Sequence, residues 1–197
     1  MDVAAKLFAE KGLDGTSVRD IAKEAGLNLS LVSYYFGGKD GLYLELITSF
    51  AMNMKKQMEQ IIAMFESEDI NQESVQKILL AMVESSSKIR QNHPHMGKIM
   101  QRERIAGLPF AREIYEKTFM PVGEALIQQV TKAQKKGVIR KELNPLLIFI
   151  FLQESIIGFH NMMDCHLNIT QTPLGKTKNF KDYQNQLVTI FIKGILA

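Results

Sequence analysis

The sequence predicts an all-α protein of about nine helices: a three-helix head at the N-terminus, then a larger helical domain. Three observations carry that prediction. Apolar residues recur at three- and four-residue spacing through most of the chain. No stretch alternates apolar and polar residues with the period of two that a half-buried strand needs. Helix boundaries are marked by a Ser-x-x-Asp box, an Asn-Pro pair and terminal glycines. At 197 residues the chain can bury one sizeable core or two smaller ones.

The head is read first. Residues 3–11 form a helix with Val3, Ala4, Leu7 and Phe8 inward, closed by Gly12. Ser17-Val18-Arg19-Asp20 has the form of a capping box, so a second helix begins near Val18. Val18, Ile21, Ala22 and Ala25 give it one apolar face. Gly26 suits the left-handed residue that ends it, Leu27 is expected to plug the corner, and Asn28 to cap a third helix. That helix turns Val32, Tyr35 and Phe36 to one side and leaves Leu29, Ser30, Ser33 and Tyr34 pointing elsewhere. Two short helices around a glycine turn make the helix-turn-helix pattern, whose second helix enters the DNA major groove.

Thr16, Ser17, Val18, Arg19, Ile21, Ala22, Ala25, Gly26, Leu27, Asn28, Tyr34-Tyr35-Phe36 and Lys39 stand in register with one known motif. The stretch resembles the DNA-binding motif of the tetracycline-repressor (TetR) family of bacterial regulators. The motif match covers about the first 45 residues; beyond it the likeness is one of length and helical character. The resemblance implies that Ser17 and Arg19, then Leu29, Ser30, Ser33, Tyr34 and Tyr35 of the recognition helix, and Lys39 of the next helix, contact DNA. Ser17 would hold a phosphate through its hydroxyl or its amide end. Arg19 would reach a phosphate or a guanine edge, and Leu29 a thymine methyl. Tyr34 and Tyr35 offer hydroxyls to the backbone. Many relatives have tyrosine where Ser33 stands, so Ser33 reads a base or nothing. Lys39 opposes the dipole of the helix it opens, a cost that an arriving phosphate would offset.

Charge adds a constraint. The whole chain carries a formal +3, yet residues 1–50 hold five basic against seven acidic side chains, a net −2. A DNA-binding head is ordinarily basic, because phosphate contacts dominate affinity. Either a few placed cations and backbone amides suffice, or a basic arm of the kind the family carries precedes residue 1. The single Cys165 excludes an intramolecular disulfide framework and fits a reducing cytoplasm. The longest apolar run, 146–152, is far short of the roughly 20 residues a bilayer span needs, so a soluble, cytoplasmic protein with no membrane partner is expected.

A fourth helix should run from near Lys39 through about Phe65, with Leu42, Leu46 and Ile47 packed on the head. Met54, Met58, Ile61, Ile62 and Phe65 then face the next domain. The boundary falls inside this helix, giving a DNA-binding domain at 1–46 and an effector-binding and dimerisation domain at 47–197. A loop at 66–72 leads to a helix carrying Val75, Ile78, Leu79, Met82 and Val83, which ends near His93-Pro94. A helix over 95–106 stops at Gly107-Leu108-Pro109. The helix over 110–136 contains Pro121, where a kink or break is expected. Asn144-Pro145 opens a helix to about Asp164, 165–179 is loop, and 180–196 is the last helix.

Eight of the eleven methionines lie between Met52 and Met120. Methionine and aromatic side chains suit an adaptable apolar pocket or an ordinary core. The resemblance favours a pocket for a small-molecule effector, for which Met58, Met82, Met100, Phe110, Tyr115 and Phe119 are the apolar candidates. Arg102, Glu103, Glu154 and His160 could anchor a polar end, or be solvated or paired. His93-Pro94-His95 and Asp164-Cys165-His166 have no recognised metal spacing, so neither metal nor cofactor is expected. No nucleophile–base pair or phosphate loop points to an enzyme. The helix after Asn144-Pro145 is apolar on all sides, which a second subunit would bury. Phe149, Leu152, Ile156 and Phe159, with Tyr183, Leu187, Ile190 and Phe191, are the candidate homodimer interface.

The function these residues point to is a dimeric transcriptional regulator that binds a palindromic operator and releases it when an effector binds. Two alternatives stay open at this point: a ligand-independent architectural DNA-binding protein, and an all-α enzyme or carrier with a degenerate head.

Overall fold

The capping signals read in the sequence are built as hydrogen bonds. In a computed structural model describing residues 1–67, 69–164 and 180–197, the Ser17 hydroxyl accepts from the Asp20 amide at 3.1 Å, and the Ser17 amide donates back to Asp20 Oδ2 at 3.3 Å. This reciprocal box opens α2 (Val18–Ala25). Gly26 ends it with φ 65°, a conformation glycine adopts without steric penalty. Asn28 Oδ1 accepts from the Ser30 amide at 3.0 Å and opens α3 (Leu29–Phe36). α1 (Asp2–Lys11) lies beneath them. The buried Thr16 hydroxyl sits within hydrogen-bonding distance of Leu7 O and Gly12 O, tying the loop ahead of α2 to the end of α1.

The described residues continue as α4 (Lys39–Ser67), α5 (Gln72–Asn92), α6 (Pro94–Ile105), α7 (Arg112–Lys135), α8 (Pro145–Asp164) and α9 (Phe180–Ile195). An isolated antiparallel bridge joins Ile139 to Leu196. α7 continues as one helix through Pro121, so of the kink or break the sequence suggested, the break does not occur. The proline is solvent-exposed, so its ring displaces no core side chain. The loop expected at 165–179, with Cys165 and His166, lies outside the described residues.

The chain divides into two compact units, 1–56 with 90–121 and 57–89 with 122–197. The unit holding the head therefore reaches past residue 46 and takes in α6 and the first part of α7. The physical reason is its core: Phe8, Ile47 and Ile99 are fully enclosed, with Leu42, Tyr43, Leu46, Met96 and Ala111 around them. Three helices of eight to ten residues bury too little apolar surface alone, and α6 supplies the missing wall.

A buried carboxylate fixes that wall. Glu103 is 3% exposed and accepts from the Tyr43 hydroxyl at 3.1 Å and from the amides of Phe110 and Ala111, each at 3.0 Å. Burial, then the neighbouring Glu103 charge, pushes the Tyr43 hydroxyl far above its ordinary range, so it stays a donor. Its ring meets Phe8 and Phe110 edge to face. Beside it, Arg102 donates to Phe8 O at 2.6 Å and Glu10 O at 3.3 Å, satisfying carbonyls at the end of α1.

In the second unit, Met58, Ile61, Ile62 and Phe65 of α4 pack with Val75, Ile78, Leu79, Met82 and Val83 of α5, and with Leu126, Ile148, Leu152, Ile156 and Leu187. The Tyr183 hydroxyl donates to Ser155 O at 2.8 Å and its ring stacks on Phe159, joining α9 to α8. Burial pushes that hydroxyl up to about 12.

Candidate nucleic-acid interface

The positively twisted backbone at Gly37 (φ 68°) and Gly38 (φ 114°) lets α3 end and α4 begin within two residues. This places Lys39 in the first turn of α4, half-buried, directly after the recognition helix. On the other side of α3, Ser17 and Arg19 are exposed at the start of α2. Leu29, Ser30, Ser33, Tyr34 and Tyr35 are all exposed on α3, and Val32 is its one buried residue.

Two details differ from the sequence reading. Tyr35 is not on the packed face with Val32: it is 70% exposed and meets Tyr34, 82% exposed, edge to face at 5.1 Å. A helix of eight residues has room for only a narrow buried stripe, and Val32 with half-buried Phe36 fills it. Leu27 does not plug the corner but is exposed, as is Leu31, which the sequence reading passed over. Its signal was available, since Leu31 stands in the first turn of a recognition helix, the part that meets base edges. In keeping with the capping box, the Ser17 hydroxyl is engaged, donating to Asp20 Oδ2 at 2.6 Å while accepting from the Asp20 amide.

The ten residues read as effector contacts are divided between the units. Met100, Arg102, Glu103, Phe110, Tyr115 and Phe119 belong to the unit of the head. There Arg102 and Glu103 make the structural bonds described above, while Met100 and Phe110 pack on the core. Tyr115 and Phe119 pair with centroids 4.9 Å apart. Met58, Met82, Glu154 and His160 belong to the second unit. Met58 is core, Glu154 is exposed, and His160 lies edge-on to Phe159. The second unit contains a cavity of about 40 Å³ whose wall includes Phe65, Val75, Met82, Leu126, Ile148 and Phe149, with Gln129 as its polar member. Of the ten, Met82 alone lines it. The Gln129 amide donates to Glu66 Oε1 at 3.2 Å. Sequence periodicity marks a residue as buried, but a cavity wall and a filled core share that mark.

The interface residues also need correcting. Leu152, Ile156 and Leu187 are buried in the core of the second unit, and Phe149, Tyr183 and Phe191 are partly buried against it. Phe159 is half-buried on Tyr183, so only Ile190, 68% exposed, stands free of that core. The face of α8 left outward is the adjacent one: Leu147, Ile150, Phe151 (60% exposed) and Met162. A helix apolar all round carries no periodicity to say which side turns inward. By length and composition the stretch Pro145–Met162 could also cross a bilayer, a longer apolar helix than the seven-residue run suggested. Its inward face, however, is taken up by the core, and Glu154 stands among its exposed residues. Among the described residues, no group of three or more His, Cys, Asp or Glu could hold a metal ion.

Known proteins share this arrangement. The family model for bacterial regulatory proteins of the tetR family matches residues 1–46. The probable HTH-type transcriptional regulator YttP of Bacillus subtilis is 32% identical over 158 residues, covering 80% of this chain and 72% of that protein. The HTH-type transcriptional repressor KstR2 of Rhodococcus jostii is 27% identical over 156 residues, 79% of this chain and 73% of its own. The solved ketosteroid transcriptional regulator KstR2 of Mycobacterium tuberculosis superposes with a TM-score of 0.74 at 23% identity, over 99% of this chain and 92% of that one, which establishes the shared fold. A capped helix-turn-helix inside the matched span, and likeness to YttP far beyond it, place the chain in the tetR family of bacterial regulatory proteins, as a helix-turn-helix transcriptional regulator.

Proposed function

We propose that the chain is a cytoplasmic repressor that binds a palindromic operator as a homodimer and leaves it when an apolar small molecule enters the second unit. The observation that carries this reading is the pairing of two exposed surfaces on one chain. α3 presents an outward helix suited to a groove, and α8 with Ile190 presents an apolar face suited to a second copy. Two-fold pairing would give two recognition helices and hence a pseudo-palindromic site.

Ser17, Arg19, Leu29, Ser30, Ser33, Tyr34, Tyr35 and Lys39 are the proposed DNA contacts. With Ser17 already bonded to Asp20, its contribution would come through the amide end of α2. The effector would enlarge the apolar cavity around Met82. Small-molecule pockets run to roughly 300–1,000 Å³, so a ligand must displace side chains that fill the core when it is absent. That displacement gives a ligand-bound state distinct in packing from the DNA-bound one, the differential interaction that a switch requires. α4 carries Lys39 at one end and Phe65 of the cavity wall at the other, a continuous helix on which both events act. The KstR2 relative is a ketosteroid regulator, and an apolar effector of comparable character suits these walls.

The test is selection of bound sequences from a random DNA pool. A two-fold symmetric consensus, bound by two chains, supports the reading. Uniform coating of all sequences, or no binding, overturns it.

A further inference from the structure

We propose that the recognition helix reads its half-site through thymine methyl groups, so that the operator is rich in A·T pairs where α3 meets it. The inference rests on the operator-binding reading above and names the sequence class that reading leaves open.

Few side chains identify a base by directed hydrogen bonds: Arg or Lys with guanine and Asn or Gln with adenine through two bonds, Asp or Glu with cytosine through one. None occurs in Leu29–Phe36. The nearest is Asn28, at the cap, but its Oδ1 accepts from the Ser30 amide at 3.0 Å and from the Ser30 hydroxyl at 2.9 Å. A two-bond contact with adenine needs that oxygen as well as the NH2 group. The same bond engages the Ser30 hydroxyl hydrogen.

What α3 offers instead is aliphatic. Leu29 and Leu31, 44% and 40% exposed, flank Ser30 in the first turn, the part of a recognition helix that meets base edges. Ser33 and Tyr34 follow in the second turn. Hydroxyls bond to many edge atoms and discriminate weakly. Leucine carbons find one apolar feature on the major-groove edges, the C5 methyl of thymine. Covering those carbons also removes apolar surface that the free protein leaves in water.

The test uses the full chain and the operator obtained by selection. Replacing half-site thymines by deoxyuridine removes the methyl and leaves every hydrogen-bonding atom in place. Each contacted methyl should then account for about a four-fold loss of affinity. Leu29→Ala and Leu31→Ala, at exposed sites that do not threaten the fold, should each bind the thymine and deoxyuridine operators equally at one position. Deoxyuridine operators bound as tightly as the parent would overturn the inference. So would a G·C consensus that weakens on 7-deazaguanine substitution and relaxes in Arg19→Ala, since reading would then lie with α2. In either case sequence-specific binding survives and the operator reading stands. A pool with no preferred sequence removes both.

Discussion

α3 and α8 both leave apolar side chains in water, but they do so in different company. On α3 the exposed Leu29 and Leu31 are interleaved with Ser30, Ser33, Tyr34 and Tyr35. On α8 the exposed Leu147, Ile150, Phe151 and Met162 are interrupted, among the exposed described residues, by Glu154 and Gly158, and Ile190 of α9 adds to the same apolar inventory. A DNA groove presents hydrogen-bonding edges beside methyl groups, and a surface that matches it must mix hydroxyls with carbon. A second copy of α8 presents carbon, as the interfaces of permanent dimers do. Exposure alone therefore does not name a partner; the chemistry between the exposed residues does.

The largest effect is expected from breaking the α8 side. Phe151→Lys puts a charge in the proposed dimer face without touching the core. Sedimentation should show a monomer, and operator affinity should fall by about a hundred-fold or more, since the second half-site would no longer be bound as part of one assembly. A dimer that persists with unchanged affinity would place the interface elsewhere.

Next comes the neighbouring residue, about 100° round that helix on its buried side. Leu152→Ala deletes a buried side chain and should lower stability by about 2–5 kcal/mol in denaturant melts. The surviving folded protein should still associate. If Leu152→Ala instead gave a stable monomer, the inward and outward faces of α8 would have to be exchanged.

This one-residue contrast also marks where the sequence was readable. The head was legible because its signals are local. Ser17 with Asp20, Gly26 and Asn28 each determine their own backbone within a few residues, and all three formed as read. Val32 alone was enough to orient α3, while Tyr35 was misplaced because nothing local says how wide a buried stripe so short a helix can carry. α8 was illegible in its facing because Leu146 to Leu152 has no polar residue to mark a water side. Arg102 and Glu103 were left open between a ligand and a structural partner for a different reason. Their partners, Phe8 O, Tyr43 and the amides of Phe110 and Ala111, are supplied by elements up to 94 residues away, and a charge in an apolar helix looks alike whether it meets a ligand or a backbone.

Returning to the DNA side, two substitutions should separate holding from reading. Lys39→Ala is expected to weaken binding to all sequences alike and to make the slope of log K against log salt shallower by about 0.9 per subunit, about 1.8 for the dimer. Leu29→Ala should instead relax the selected consensus at the base pair it meets. An unchanged salt slope for Lys39→Ala would remove this lysine from the phosphate contacts.

The smallest effect concerns Asp20, whose carboxylate accepts from the Ser17 hydroxyl and then from the Ser17 amide, and is held below its ordinary range by those bonds. A carboxylate with a lowered folded-state pKa stabilises the fold above the unfolded value, about 3.9. That contribution is lost as pH falls through the lower folded value. Helix content of the protein should therefore show an acid limb below about pH 4 that is reduced in Asp20→Asn, which cannot titrate. The same charge stands at the amide end of α2, where a phosphate would arrive, and repels it. Asp20→Asn should thus bind DNA a few-fold more tightly at neutral pH and low salt while capping α2 less well. Weaker DNA binding together with the looser cap would mean that Asp20 positions Ser17 for the phosphate instead of competing with it. Two small shifts of opposite sign in one variant thus decide whether the capping box serves the helix alone or the DNA contact as well.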